Sequence, residues 1–164
     1  MTKLFYQKIS EPFRVSERRV IWLNRLNRIF TLSVYIAYPL SLIVLFCLRD
    51  ARLLRCIAVP AVSFVLLSAF RRCFNAKRPY EVLEIQPLIH KDTKGKSFPS
   101  RHVFSMFIIA MSFFYLIPAL GIVLFALGIL LGAIRVIGGV HFPRDVIAGA
   151  LIGIACGILG FYLI

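Results

Sequence analysis

The chain has 164 residues, room for one domain of ordinary size, yet 60% of them are apolar and the formal net charge is +13. A soluble domain this small has no use for so much apolar surface, whereas a helix needs about 20 apolar residues to cross a hydrocarbon core about 30 Å thick. Runs of that length recur along the chain, which excludes an ordinary soluble fold and makes membrane rather than nucleic acid the reason for the excess Lys and Arg.

Residues 1–28 carry seven Lys or Arg, with Ile21, Trp22, Leu23 and Leu26 between them. That is the composition of a basic amphipathic helix lying in the membrane interface, a solvated tail being the alternative. Glu11, Pro12, Asn24 and Asn27 break any signal-peptide pattern, so insertion is expected to rely on the spans themselves. The first span reads from about Ile29 to Leu48 and contains Pro39, and a charged turn at Arg49, Asp50 and Arg52 follows.

A second span runs from about Leu53 to Phe70, with Arg55 near its start, where a long side chain reaches toward headgroups. From Arg71 to Arg101 the chain turns polar and is punctuated by Pro79, Pro87, Gly95 and Pro99, the pattern of a loop with one short surface helix. A third span covers Ser100 to about Ile117 and a fourth about Ala119 to Ile137, joined at Pro118 as an antiparallel hairpin. After Gly138 and Gly139, His141-Phe-Pro-Arg-Asp145 leads into a last span ending at Ile164, where Ala148, Gly149, Gly153, Ala155, Gly157 and Gly160 suit close helix packing. Cys47, Cys56, Cys73 and Cys156 have neither zinc-site spacing nor the density of a disulfide framework. The expected fold is all-α: an integral membrane helical bundle of about five transmembrane helices with an N-terminal interfacial helix, residues 1–164 forming one domain.

Five spans put the N-terminus, the loop at 71–99 and the loop at 138–142 on one side of the membrane, with seventeen of the twenty Lys and Arg. Three polar clusters can therefore meet there. Arg135 follows an apolar run from Ala119 to Ile134 and costs a few kcal/mol to insert unless paired or hydrated. His141 and Asp145 are four apart with Pro143 at the expected first turn of the last span, so the carboxylate can fix the tautomer of the imidazole and stabilise its cation. Ser100 is the expected N-cap of the third span, and free amides at a helix start bind phosphate well. His102 stands just inside that start. Arg71, Arg72, Lys77 and Arg78 supply further cations past the second span, and forked guanidinium donors match phosphoryl oxygens. Clustered carboxylates and metal-ligand spacings are absent, so neither a metal nor a cofactor is expected.

These clusters resemble the signature of the type 2 phosphatidic acid phosphatase family, K-x6-R-P, then P-S-G-H, then S-R-x5-H-x3-D. Arg71 through Pro79 matches the first with arginine for lysine, Pro99 through His102 the second with Arg101 for glycine, and Arg135 through Asp145 the third with Ile134 for serine. The resemblance implies a membrane lipid phosphatase in which His141 attacks phosphorus, Asp145 orients it and His102 protonates the leaving oxygen. It further implies that Arg71, Arg78 and Arg135, with the amides near Ser100, hold the phosphate without a metal, and Lys77 of the first cluster is a further expected phosphate ligand.

Phosphatidylglycerophosphate, phosphatidic acid and a polyprenyl phosphate or diphosphate are the expected substrates, with anionic lipids around the chain and no nucleic-acid partner. A phosphotransferase using the same intermediate and a non-enzymatic anionic-lipid-binding subunit are the competing readings. An inner-membrane location is expected, and the positive-inside rule favours the cytoplasmic face for the site.

Overall fold

The computed structural model describes residues 1–91 and 93–164. Among these residues every regular element is helical: α1 (Lys3–Arg14), α2 (Glu17–Cys47), α3 (Leu53–Phe74), α4 (Pro79–Val82), α5 (Arg101–Leu116), α6 (Pro118–Ile137) and α7 (Pro143–Ile158), which ends in a π-helical turn over Leu159–Leu163. Four stretches are long and apolar enough to cross a membrane: Glu17–Cys47, Leu53–Val82, Pro118–Ile137 and Pro143–Leu163. The expected third span is the shorter α5, whose 16 residues extend only about 24 Å.

Helix α5 is the axis of the bundle. Val103, Phe104 and every residue from Met106 through Phe113 are buried, as an all-round apolar helix requires. Its main neighbours are α6 and α7. Gly149, Gly153 and Gly157 form one face of α7 and let it lie against α5. A Cβ at Gly149 would stand 2.6 Å from the Ser100 carbonyl oxygen, and one at Gly157 would stand 2.5 Å from Met111 Cβ. Close approach brings the two helix starts together, and the Ser100 amide donates to the Asp145 carbonyl at 2.8 Å.

The N-terminal region departs from expectation. Residues 17–28 are the opening turns of α2, which runs unbroken through Pro39 for 31 residues, about 46 Å. They are helical there because Leu23 packs into a cluster with Leu88, Ile89, Ile134 and Val140, while the Asn24 side chain donates to the Leu88 carbonyl at 3.0 Å. Only α1 is a separate helix, and it docks on the polar loop. Tyr6 and Arg14 both donate to the Gln86 carbonyl, at 3.2 and 2.5 Å, and Tyr6 lies against Gly139, whose φ of +75° favours glycine.

Arg55 also differs from expectation, since its guanidinium donates to the Phe161 carbonyl at 3.3 Å instead of only reaching for headgroups. All four cysteines are free, with Cys47 and Cys73 exposed near opposite ends of the bundle. The chain runs down α2, back along α3, down α5, back along α6 and down α7. The end of α3, the starts of α5 and α7, the end of α6 and the α1–loop junction thus gather at one end of the bundle.

Candidate active site

Arg71, on the last turn of α3, is buried because the loop returns beside it. Asn75 turns the chain in a left-handed conformation, and the Ser97 amide donates to the Ala76 carbonyl at 2.8 Å. Arg71 in turn donates to the Ser97 carbonyl at 3.2 Å and to the Lys96 carbonyl. Arg78 donates to the Gly95 carbonyl at 3.0 Å and to the Val140 carbonyl at 3.1 Å, which ties the α3–α5 loop to the α6–α7 loop. Glu81 secures the same corner by accepting from the Arg78 and Gly95 amides at 2.8 and 2.9 Å.

Between α6 and α7 the amides of Val140 and His141 fold back onto the Arg135 carbonyl at 3.2 and 3.3 Å. Phe142 is the N-cap of α7 and Pro143 its first residue, so His141 lies just outside the helix rather than on its first turn. Oδ2 of Asp145 accepts from the Phe142 amide at 3.0 Å and from the Ser97 hydroxyl at 2.5 Å. It stands 3.6 Å from His141 Nδ1, too far for a hydrogen bond, while the Ser97 hydroxyl is 3.4 Å from the same nitrogen. Ser97 is therefore a member of the constellation that sequence reasoning missed, because one serine in a polar loop carries no periodic signal.

A cavity of about 350 Å3 opens onto this arrangement. His102 and His141 both line it, with Arg71 and Arg78 from the expected set and Ser68, Arg72, Lys91, Thr93, Lys94, Gly95, Lys96 and Arg101 besides. Arg135 and Asp145 lie behind the lining. The Arg135 side chain is 4% exposed, its Nε has no hydrogen-bond partner, and it is an electrostatic neighbour of both histidines. Burial, reinforced by Arg78 and Arg135 and opposed by Asp145, lowers the His141 pKa to about 4, so the imidazole is neutral at pH 7. No group of three or more His, Cys, Asp or Glu converges to hold a metal among the described residues.

Two expected phosphate ligands stand elsewhere. Lys77 is exposed and does not line the cavity. It precedes Arg78 in extended backbone, where successive side chains point to opposite sides, and Arg78 takes the inward one. Ser100 is the N-cap of α5 but makes no side-chain cap. Its Oγ is buried without a partner, and its amide is taken by Asp145. The two departures from the family pattern also find places. Arg101 lines the cavity with its guanidinium 5.6 Å from the Phe64 ring, and Ile134 turns away into the cluster around Leu23, Leu88 and Ile89.

The family model described as the PAP2 superfamily matches residues 52–164. The chain belongs to the PAP2 superfamily. It is similar to Aquifex aeolicus LpxE, with a TM-score of 0.73 and 30% identity over 95% of this chain and 92% of that one. The crystal structure of a transmembrane PAP2-type phosphatidylglycerolphosphate phosphatase from Bacillus subtilis shares the fold. Its TM-score is 0.68 at 24% identity, covering 94% of this chain and 81% of that one. The bacitracin transport permease protein BcrC of Bacillus licheniformis is 26% identical over 141 residues, 82% of this chain and 69% of the relative. As a PAP2-superfamily protein with apolar helices of spanning length, this chain is an integral membrane protein of a phosphatase family.

Proposed function

We propose that this protein hydrolyses a phosphomonoester or diphosphate of a membrane lipid through a phosphohistidine at His141. What supports the reading most is that two imidazoles from different helix starts line one cavity whose other charged lining groups, among the described residues, are all cations. His141 Nδ1 faces Ser97 and Asp145, which leaves Nε2 as the nucleophile. Its lone pair forms the N–P bond while the P–O bond to the lipid breaks. His102, protonated as the phosphate anion enters the cavity beside it, donates that proton to the departing oxygen, and the resulting imidazole then takes a proton from the water that cleaves the phosphohistidine. Arg71 and Arg78 meet the charge on the equatorial oxygens, which is where an in-line phosphoryl transition state carries it, and Arg135 adds its positive charge from behind the lining. Asp145 and Ser97 position His141 and stabilise its cationic adduct.

Phosphatidylglycerophosphate, phosphatidic acid and polyprenyl phosphates or diphosphates are the candidate substrates. The decisive experiment measures inorganic phosphate release from a panel of these by purified protein in detergent, with His141→Ala as control. Release only after an alcohol acceptor is added would make it a phosphotransferase, and binding without release would make it a lipid-binding subunit.

No step needs a metal, since neutral His141 is itself a nucleophile at pH 7. Activity is therefore expected to persist in excess chelator and to be blocked by vanadate, which mimics the five-coordinate phosphoryl group. Strict dependence on an added divalent ion would refute the histidine route.

Seventeen of the twenty Lys and Arg lie toward the site end, and the positive-inside rule then puts the cavity in the cytoplasm. Cys47 and Cys73 report on this directly. In sealed right-side-out vesicles an impermeant thiol reagent is expected to label a protein retaining only Cys47 and to spare one retaining only Cys73. The reverse pattern would place the site outside.

A further inference from the structure

We infer that Lys91, with Arg101, is a specificity-determining residue that favours substrates whose leaving group is itself a phosphate, that is, lipid diphosphates. This rests on the phosphohistidine reading above and deepens it. Lys91 belongs to none of the three motif clusters, yet it lines the cavity and is an electrostatic neighbour of His102. Arg101, the residue that replaces a small glycine in the family pattern, shares both properties. The leading cationic neighbours of His141 are instead Arg78 and Arg135. Arg135 is shared by the two histidines, whereas Lys91 and Arg101 act on His102 and Arg78 on His141.

In-line displacement gives that division a chemical meaning. His141 attacks from one side of phosphorus, and the bond on the His102 side breaks. When the leaving group is an alkoxide, a proton from His102 is sufficient. When it is a phosphate, the electron pair of the broken P–O bond adds to a group that is already anionic and stays so at neutral pH, so it needs cations rather than one proton. Lys91 and Arg101, which line the cavity and neighbour His102, are the cations available to that charge.

Lys91 also has spare donors. Arg71 and Arg78 each give two hydrogen bonds to loop carbonyls, whereas Lys91 makes no hydrogen bond or ion pair among the described residues. Burial first, and then Arg78, Arg135, Arg101 and Arg71, lower its pKa to about 7. A second phosphate beside it would restore its charge and gain an ammonium ligand. The products are lipid monophosphate, released from the His102 side, and inorganic phosphate, released when water cleaves the phosphohistidine.

The test compares farnesyl monophosphate with farnesyl diphosphate, two compounds with one tail, on purified full-length protein. The wild type is expected to favour the diphosphate in kcat/KM. Lys91→Gln is expected to lower diphosphate turnover by about tenfold and to shrink the diphosphate-to-monophosphate ratio at least fivefold, and Lys91→Arg to restore the ratio. An unchanged ratio in Lys91→Gln, or a wild type that prefers the monophosphate, overturns the inference while leaving the hydrolase reading intact. His141→Ala in parallel separates the two: phosphate release surviving in that variant overturns the phosphohistidine reading and this inference with it.

Discussion

His141→Ala is expected to reduce lipid-phosphate hydrolysis by on the order of 10^4-fold or more, since removal of a covalent nucleophile costs that much where the rest of the machinery cannot replace it. His102 is the other imidazole at the cavity, and it comes from a different helix, on the leaving-group side in the reading above. The guanidinium groups are untouched, so substrate affinity should hold and the loss should fall on kcat. His141 is only 1% exposed, so truncation leaves a void, and His141→Gln, closer in volume, keeps the comparison fair. Wild-type protein given a lipid labelled with 32P in its scissile phosphate is expected to trap an acid-labile, base-stable label that both variants lack. Activity within tenfold of wild type in either variant would remove His141 from the mechanism.

Arg135→Met is expected to lower kcat/KM by about 10^2-fold, as the loss of a buried positive charge beside the transition state would, without lowering thermal stability. Unchanged thermal stability separates a catalytic from a structural role for Arg135. Arg135 is buried near the end of a spanning helix, with Nε unpartnered and with Arg78 as a neighbour of the same sign. An unpaired buried charge costs folding free energy, and replacing it with an apolar chain of similar length relieves that cost. Arg71 makes the contrast. Its donors satisfy the Ser97 and Lys96 carbonyls, so Arg71→Met should lose both activity and melting temperature. An Arg135→Met protein that melts well below wild type, or that retains full activity, would contradict the assignment.

The spans were legible because hydrocarbon demands long apolar runs, and α6 and the start of α7 fall where Pro118 and Pro143 mark them. The start of α2 was hidden. Its first turns look polar, and what folds them is Leu23 reaching a cluster built from residues more than sixty positions away. His102, His141, Asp145 and the three arginines could be read because charge and histidine beside the membrane need a reason to be there. Lys77 and Arg78 are equivalent by composition, and only the extended backbone between helices decides which one faces the cavity. Ser97 and Lys91 lie in a loop without periodicity, so their places beside Asp145 and in the cavity lining emerge only once the chain has folded.

The hydrogen bonds of Arg71 and Arg78 bear on turnover as well as folding. Peptide oxygens at positions 95, 96, 97 and 140 occupy donors that a phosphate would also want. Docking is thus partly a trade of one acceptor for another, and such a trade nets little because both partners were satisfied beforehand. The trade improves when the acceptor grows more anionic, as it does on the way to the pentacoordinate species. Resting oxygens of this kind hold down affinity for the ground state and for inorganic phosphate while leaving the stronger pull to the barrier top, which favours fast discharge of product.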